Sequence, residues 1–387
     1  VDLSGDDDPV AAAHAWIADD VASADVTGAG PLFRTALLVL ADDHLFWHQR
    51  YHHGIVDGFG MSLIFNEVRA RYVDPTRRTA ADAWALGPLV ESDRDYRSSP
   101  AFAVDKAFWT TQLIGAAEPP ILLPDVPDVG RAVTERVEVS TADAARLHDL
   151  AARVNLRRTR VIPSLWLAYL AVATGSYDLT VSLPATGRVG RRQRSTPFMA
   201  STILPLRLRL DPSMTLVDVA RAFEHATIGT VRHGRFRGED VVRAVREIEP
   251  ERRVVGPGLN VLMLPHGVDI GGVPARMHSM DTGPVRDLDT TVTGGLDGEP
   301  VTFDLRCRPG ALEAMRGHLD RFRVVLDQLL DDPTRPLSSL TLLGDDDRRR
   351  ILVDFVDTAE PVTRETIPAM FARRVAHVVT VHRTLEQ

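Results

Sequence analysis

Apolar positions in this chain fall into two periods. Leu312, Met315, Leu319, Phe322, Leu326 and Leu329 recur at three- and four-residue spacing, which predicts a helix over 311–330 with one core-facing stripe. A mostly apolar run predicts a buried helix over 162–172, and a shorter one a buried strand over 179–183. Residues 203–210 alternate apolar positions with Arg207 and Arg209, the pattern of a strand with one wet face. Asp42-Asp43 separates two β-rich runs, 32–40 and 45–51, and predicts a hairpin. Further helices are expected over 11–21 (after Asp8-Pro9), 59–73, 102–113, 141–154 (capped by Thr141), 216–231 and 239–248. Leu63, Ile64, Glu67, Val68 and Tyr72 give the 59–73 helix a single stripe. Strands are expected over 136–139, 259–264, 288–292 and 301–307.

Pro119-Pro120 and Pro124-Asp125 mark a boundary, after which the pattern resets. Beyond Pro336 the composition turns charged and loop-like, and 355–361 reads as linker. Two mixed α/β units and a tail follow, divided as 1–120, 121–345 and 346–387. At 387 residues the chain is long enough for more than one core.

Composition removes several functions. The net charge of −8, with acids and bases interleaved, offers no basic face for nucleic acid. The single cysteine, Cys307, excludes an internal disulfide and any multi-cysteine zinc site. It alternates with Val301, Phe303 and Leu305 and is read as a core thiol. No apolar run reaches membrane-spanning length and no signal peptide opens the chain, so a cytoplasmic location is expected.

One stretch carries chemistry. His52-His53-Gly54-Ile55-Val56-Asp57-Gly58 puts two imidazoles ahead of an Asp-Gly pair, at the junction of a predicted strand and a predicted helix. Average residue usage yields that pattern in about one chain in a thousand. As a metal site it lacks ligands: adjacent histidines on extended backbone face opposite ways, and no second His/Asp cluster is present. Hydrolysis through a protein nucleophile lacks a GxSxG elbow, since Gly60-Met61-Ser62 does not match. A structural histidine pair is the bland alternative. The functional one is a lone histidine acting on a nucleophile brought by a substrate. Neutral imidazole can accept or orient a proton near pH 7. Asp57 would lock the loop by pairing with a cation, and Gly58 would let backbone approach and offer an N–H to an oxyanion.

Tyr51-His52-His53-Gly54-Ile55-Val56-Asp57-Gly58-Phe59 resembles the HHxxxDG core of condensation domains in nonribosomal peptide synthetases. Leu183-Pro184-Ala185-Thr186-Gly187-Arg188 and Pro197-Phe198-Met199-Ala200-Ser201-Thr202-Ile203-Leu204-Pro205-Leu206-Arg207 are similar to a later family segment. Arg235-Phe236-Arg237-Gly238-Glu239-Asp240 and Gly258-Leu259-Asn260-Val261 resemble further blocks, above all those of siderophore-type synthetases. Ile351-Leu352-Val353-Asp354-Phe355-Val356-Asp357-Thr358-Ala359 resembles the linker into an adenylation domain, whose first helix would begin at Pro368.

The resemblance implies a chloramphenicol-acetyltransferase-like fold, two lobes with mixed sheets in a V around a central tunnel. It implies donor and acceptor peptidyl carrier proteins as partners, each presenting a phosphopantetheine arm, and an adjacent adenylation domain. The acceptor amine attacks the donor thioester, with no metal and no cofactor bound by the domain itself. His53 becomes the catalytic residue, with His52 facing into the lobe in a structural role. Asp57 is expected to pair with Arg207 across the lobes, and Ser201 and Thr202 to contact substrate or tunnel. Thr202 departs from the family's usual Asn. The family's two earliest motifs are not in the sequence, so the first lobe is expected to be incomplete as written. Epimerization domains share the motif and are the nearest alternative; ester-forming relatives and a non-catalytic recruitment module are others. Heterocyclization domains replace both histidines.

Overall fold

A computed structural model describes residues 1–24, 30–80, 82–262, 267–278, 283, 285–295, 300–357 and 365–385. The chain forms two compact units, Val1–Leu342 and Leu343–Gln387.

The first unit opens with α1 (Pro9–Ala22), capped by Asp8, and the antiparallel hairpin β1 (Phe33–Ala41) and β2 (His44–Tyr51). Ala13 and Ile17 of α1 pack on Leu38 and Leu40. Asp20 is buried there because two cations and an imidazole meet it: Arg34 at 2.7 Å, Arg50 at 2.8 Å and the His48 ring at 2.9 Å. Helix α2 (Gly58–Val73) leaves the hairpin, and Phe65 stacks on Trp47. Its expected stripe is only partly covered, with Val68 and Tyr72 exposed.

Helices α3 (Gly87–Arg97) and α4 (Pro100–Leu113) follow. Then come β3 (Val133–Val139), α5 (Thr141–Arg153), α6 (Arg158–Thr174), β4 (Asp178–Ala185), α7 (Gly190–Ser195), β5 (Thr202–Arg209), α8 (Leu216–Arg232) and α9 (Gly238–Arg246). Ser140, not Thr141, caps α5: its side chain accepts from Asp143 N–H. The remaining strands are β6 (Gly258–Leu262), the hairpin β7 (Gly267–Ile270) and β8 (Val273–Arg276), β9 (Asp289–Gly294) and β10 (Val301–Cys307); α10 (Leu312–Asp331) closes the set. The expected strand over 259–264 runs past Leu262 into positions outside the described residues.

Six strands form one mixed sheet in the order β3-β10-β9-β6-β4-β5, with β6 parallel to both its neighbours. Helices α5, α6, α8 and α10 supply the core against it, where Val161 to Ala171 of α6 and the α10 stripe are buried. Cys307 lies in this core with Val301, Phe303 and Leu305, and burial pushes its thiol up from its ordinary pKa. Burying a side chain such as Leu or Phe contributes about 1.5–3 kcal/mol, which makes this the main stabilising body of the unit. A second cluster joins Trp109 and Leu113 of α4 to Leu204 of β5 and to Val241 and Val245 of α9.

Between α4 and β3 the connector is held through its main chain. Ala117 N–H donates to Asp178, Arg252 and Arg253 donate to the carbonyls of Ala116 and Pro119, Leu122 and Leu123 N–H donate to Asp287, and Arg308 donates to the Val126 carbonyl.

The second unit contains α11 (Asp345–Arg349), which runs into a π-helical turn at Arg350–Asp354, and α12 (Ile367–Leu385). A helix beginning at Pro368 was expected, and α12 begins one residue earlier. Within the expected linker, 358–361 lies outside the described residues. Among the described residues no helix is long and apolar enough to cross a membrane.

Candidate active site

Asp57 is the N-cap of α2, and four donors converge on its carboxylate. Gly60 N–H and the Arg188 guanidinium reach one oxygen at 2.7 Å each; Ala200 and Ser201 N–H reach the other at 2.9 Å each. Helix capping, ion pairing and two loop amides therefore share one side chain, which satisfies the first turn of α2 and pins the 198–201 loop against it. The Asp57 and Arg188 side chains are 2% and 1% exposed. A buried carboxylate is tolerable only with such partners.

Arg188 lies between the rings of Phe59 and Phe198, 4.8 and 4.6 Å from their centroids, and also donates to the Phe198 carbonyl at 2.8 Å. Burial pulls its guanidinium below the ordinary arginine pKa, against the opposing pull of Asp57.

The cation paired with Asp57 is thus Arg188, which corrects the expected pair with Arg207. Arg207 instead makes a two-point bond to Asp178 at 2.7 and 2.6 Å and donates to the Gln112 carbonyl at 2.7 Å. The reason is distance along β5. Arg207 stands five residues beyond Thr202, about 17 Å at the usual strand rise. The chain's return explains Arg188: Ala185 at the end of β4 pairs with Thr202 at the start of β5, so 186–201 must loop at that end of the sheet. The signal was the Gly187-Arg188 pair. Gly187 has φ +61°, and a Cβ there would run into the Ala200 carbonyl.

The two histidines differ. His52 is exposed rather than turned into the lobe, and its Nδ1 accepts the Gly54 N–H at 3.0 Å. With Ile55 N–H donating to the His52 carbonyl at 3.0 Å, it braces the turn. The His53 side chain is exposed and has no hydrogen-bond partner among the described residues. Gly58 has open space where a Cβ would stand, so its glycine answers no crowding by this chain. Gly60 does: a Cβ there would lie 2.6 Å from Val56 Cγ2 and 3.1 Å from the Phe198 nitrogen.

Ser201 touches Asp57 through its backbone, while its hydroxyl donates to Met199 Sδ at 3.6 Å. Thr202 is buried, and its hydroxyl accepts the Gly238 N–H at 2.8 Å, tying β5 to the start of α9. It also lines a small cavity with Gly187, Gln193, Ala200, Arg235 and Arg237. Among the described residues no group of three or more His, Cys, Asp or Glu side chains could hold a metal. The arrangement offers an exposed imidazole and an uncrowded helix N-terminus on a rigid turn, suited to handling a proton and a developing oxyanion.

A family model described as Condensation domain matches residues 1–352. A dimodular nonribosomal peptide synthase of Bacillus subtilis is 27% identical over 97% of this chain and 16% of its own length. For the isonitrile lipopeptide synthase of Streptomyces coeruleorubidus the figures are 30%, 80% and 21%, and for enterobactin synthase component F of Escherichia coli O157:H7 26%, 86% and 26%. This chain thus spans about a sixth to a quarter of those relatives. Among solved structures, a variant of the starter condensation domain of rhizomide synthetase RzmA superposes with a TM-score of 0.78 at 30% identity, covering 88% of this chain and 79% of that one. The first condensation domain of the calcium-dependent antibiotic synthetase, bound to a substrate analogue, gives 0.76 at 28% identity, covering 89% and 77%.

Proposed function

This chain belongs to the condensation-domain family of nonribosomal peptide synthetases, amide-forming acyltransferases with a chloramphenicol-acetyltransferase-like fold, and from that premise we propose that His53 steers the attacking amine. The observation that carries this reading is the exposed His53 imidazole, without a hydrogen-bond partner among the described residues, on a turn locked by Asp57 and Arg188. An α-amine has an ordinary pKa near 8, so part of it is already neutral at pH 7 and a strong base is unnecessary. Its lone pair attacks the thioester carbonyl and the C–N bond forms. The tetrahedral oxyanion then collapses, the C–S bond breaks, and the amine's proton passes by way of His53 to the departing thiolate. Gly58 N–H, at the first position of α2, is aligned with the helix dipole to stabilise the oxyanion.

Both substrates arrive on phosphopantetheine arms, one from an upstream donor carrier and one from a downstream acceptor carrier. Residues 346–387 form the linker and the beginning of an adenylation domain, and the protein works in the cytoplasm. The division 1–120 and 121–345 puts the motif in the first part and Arg188 in the second, so the site is built across it.

The test uses the protein with a donor-loaded and an acceptor-loaded carrier, following the amide by mass spectrometry. His53→Ala is expected to lower the rate by about 100-fold or more, the usual size of a proton-transfer contribution. Full activity in folded His53→Ala would remove its role. Inversion of the aminoacyl centre on a single loaded carrier would make the protein an epimerization domain instead.

A further inference from the structure

The loop that grips Asp57 is itself held from behind. Thr202 follows the Ala200 and Ser201 amides that donate to Asp57, and its hydroxyl accepts the Gly238 N–H at 2.8 Å. Gly238 packs backbone to backbone on the start of β5: a Cβ there would run into the Ile203 carbonyl. Segment 234–238 also shares a small cavity with that loop, through Gly234, Arg235 and Arg237 on one side and Ala200 and Thr202 on the other. Where 234–238 stands therefore decides where 200–202 can stand, and hence how Asp57 is met.

Segment 234–238 is placed in turn by α3 and α4. His233, the C-cap of α8, leads into it. The His233 Nδ1 lies 2.7 Å from one carboxylate oxygen of Asp105, and its ring stacks on Phe108 with centroids 3.9 Å apart. Its carbonyl accepts the Trp109 indole N–H at 3.1 Å. A carboxylate only accepts, so Nδ1 carries the proton and donates. The other Asp105 oxygen takes the Tyr96 hydroxyl at 2.6 Å. Burial, and after it that bond, pushes the Tyr96 hydroxyl above its ordinary pKa, which keeps it a donor. The Arg235 guanidinium covers the Tyr96 ring at 4.3 Å and donates to the Ser92 carbonyl, while Phe236 packs on Phe102. One buried carboxylate thus fixes α3, α4 and the end of α8 to one another.

We propose that His233 is a positioning residue for amide formation. Held by Asp105, it sets 234–238 so that Thr202 keeps the Ala200 and Ser201 amides on Asp57, and with them the geometry of the 52–58 turn. No bond is made or broken at His233 itself. Supports of this kind matter because displacing reacting groups by about 1 Å costs about 100-fold in rate. The inference rests on the amide-forming reaction and on Asp57 as the anchor of the turn, not on which proton His53 handles.

The full chain is assayed with donor-loaded and acceptor-loaded carriers, well below the denaturation midpoint of each variant. His233→Ala is expected to lower kcat about 10-fold with the KM for each carrier within about 2-fold of wild type, the mark of lost geometry rather than lost binding. His233→Asn returns an N–H to the place of Nδ1 and should recover kcat to within about 3-fold of wild type. The double variant His233→Ala/Thr202→Val reads the path: it should be no slower than the slower single variant, because both release the same loop. A residue that served the fold alone would leave kcat of the folded protein unchanged. Wild-type kcat in folded His233→Ala, no recovery in His233→Asn, or multiplied losses in the double variant overturns the proposal. Should His233→Ala not fold, Tyr96→Phe removes one hydroxyl from the same carboxylate; kcat about 3-fold lower at unchanged KM is then expected, and a wild-type kcat overturns the proposal. His53→Ala is scored in the same assay, so a failed role for His53 and a failed role for His233 give different results.

Discussion

Asp57 accepts four hydrogen bonds, and the donors come from three places in the chain: Gly60, Arg188 and the Ala200-Ser201 pair. Removing the strongest donor leaves a buried carboxylate underpaired. Arg188→Ala should therefore destabilise the protein by about 3–5 kcal/mol and abolish turnover, as breaking a buried ion pair does. Arg207→Ala strips a bond from a more accessible carboxylate, Asp178, and should cost about 1–3 kcal/mol while keeping kcat within about 3-fold. Urea denaturation with amide-formation kinetics separates the two. Equal loss of turnover in both variants would return Arg207 to the site. The motif itself was legible in the sequence: His53, Asp57 and the need for a cation all stand in the 52–58 pattern. The identity of the cation was not. Arg188 follows β4 and Arg207 lies within β5, and only the Ala185–Thr202 pairing shows which end of the sheet each occupies.

At the level of elements, two glycines of α2 invite opposite expectations. Alanine is the better helix former by about 1 kcal/mol, so Gly60→Ala would stabilise an isolated helix. Here the new methyl meets Val56 and the Phe198 backbone, and the predicted outcome is a lower denaturation midpoint with a reduced kcat. Gly58→Ala meets nothing and should leave the midpoint unchanged or raised; a fall would show that crowding does reach this position. The sequence revealed α10 and α6 because their apolar residues face a core. It hid α3, which buries only Leu89 and Tyr96 and docks through polar contacts: Tyr96 to Asp105 at 2.6 Å and Arg97 to Asp240 at 3.1 Å. Such a helix has no stripe to read. The α2 stripe misled in the other direction, since apolar spacing reports a face without saying what covers it.

Across the whole molecule, the strands of the six-stranded sheet could be recognised singly but their order could not, because the placement of β6 beside both β9 and β4 depends on crossovers rather than local pattern; the β7–β8 hairpin went unrecognised. One consequence of the assembled core is a pH response. Burial holds the His318 imidazole below its ordinary pKa. Its Nε2 faces the Leu122 carbonyl, an acceptor, so Nε2 carries the proton and Nδ1 accepts from the Tyr169 hydroxyl. Unfolded chains take up a proton that folded ones resist. The stability from this group is therefore whole above about pH 6.5 and declines below it, by at most about 1.4 kcal/mol per pH unit. Asp287 and Asp289, raised by burial, run the opposite way: their contribution is present in acid and lost as pH climbs through their raised values. His318→Gln keeps one donor and one acceptor but no titration. The stability difference between wild type and this variant should shrink from pH 7 to pH 5, and a constant difference would place the response elsewhere.

The connector between α4 and β3 is gripped by its carbonyls and amides. Main-chain recognition is blind to side chains, so exposed connector positions such as Ala117 and Ile121 can change, while Leu123, buried in the main core, and Asp178, Arg252, Arg253 and Asp287 cannot. An exchanged connector of equal length that keeps Leu122, Leu123 and Val126 should seat as well as the native one. Proline is the one residue barred at 117, 122 and 123, where the amide hydrogen is the handle.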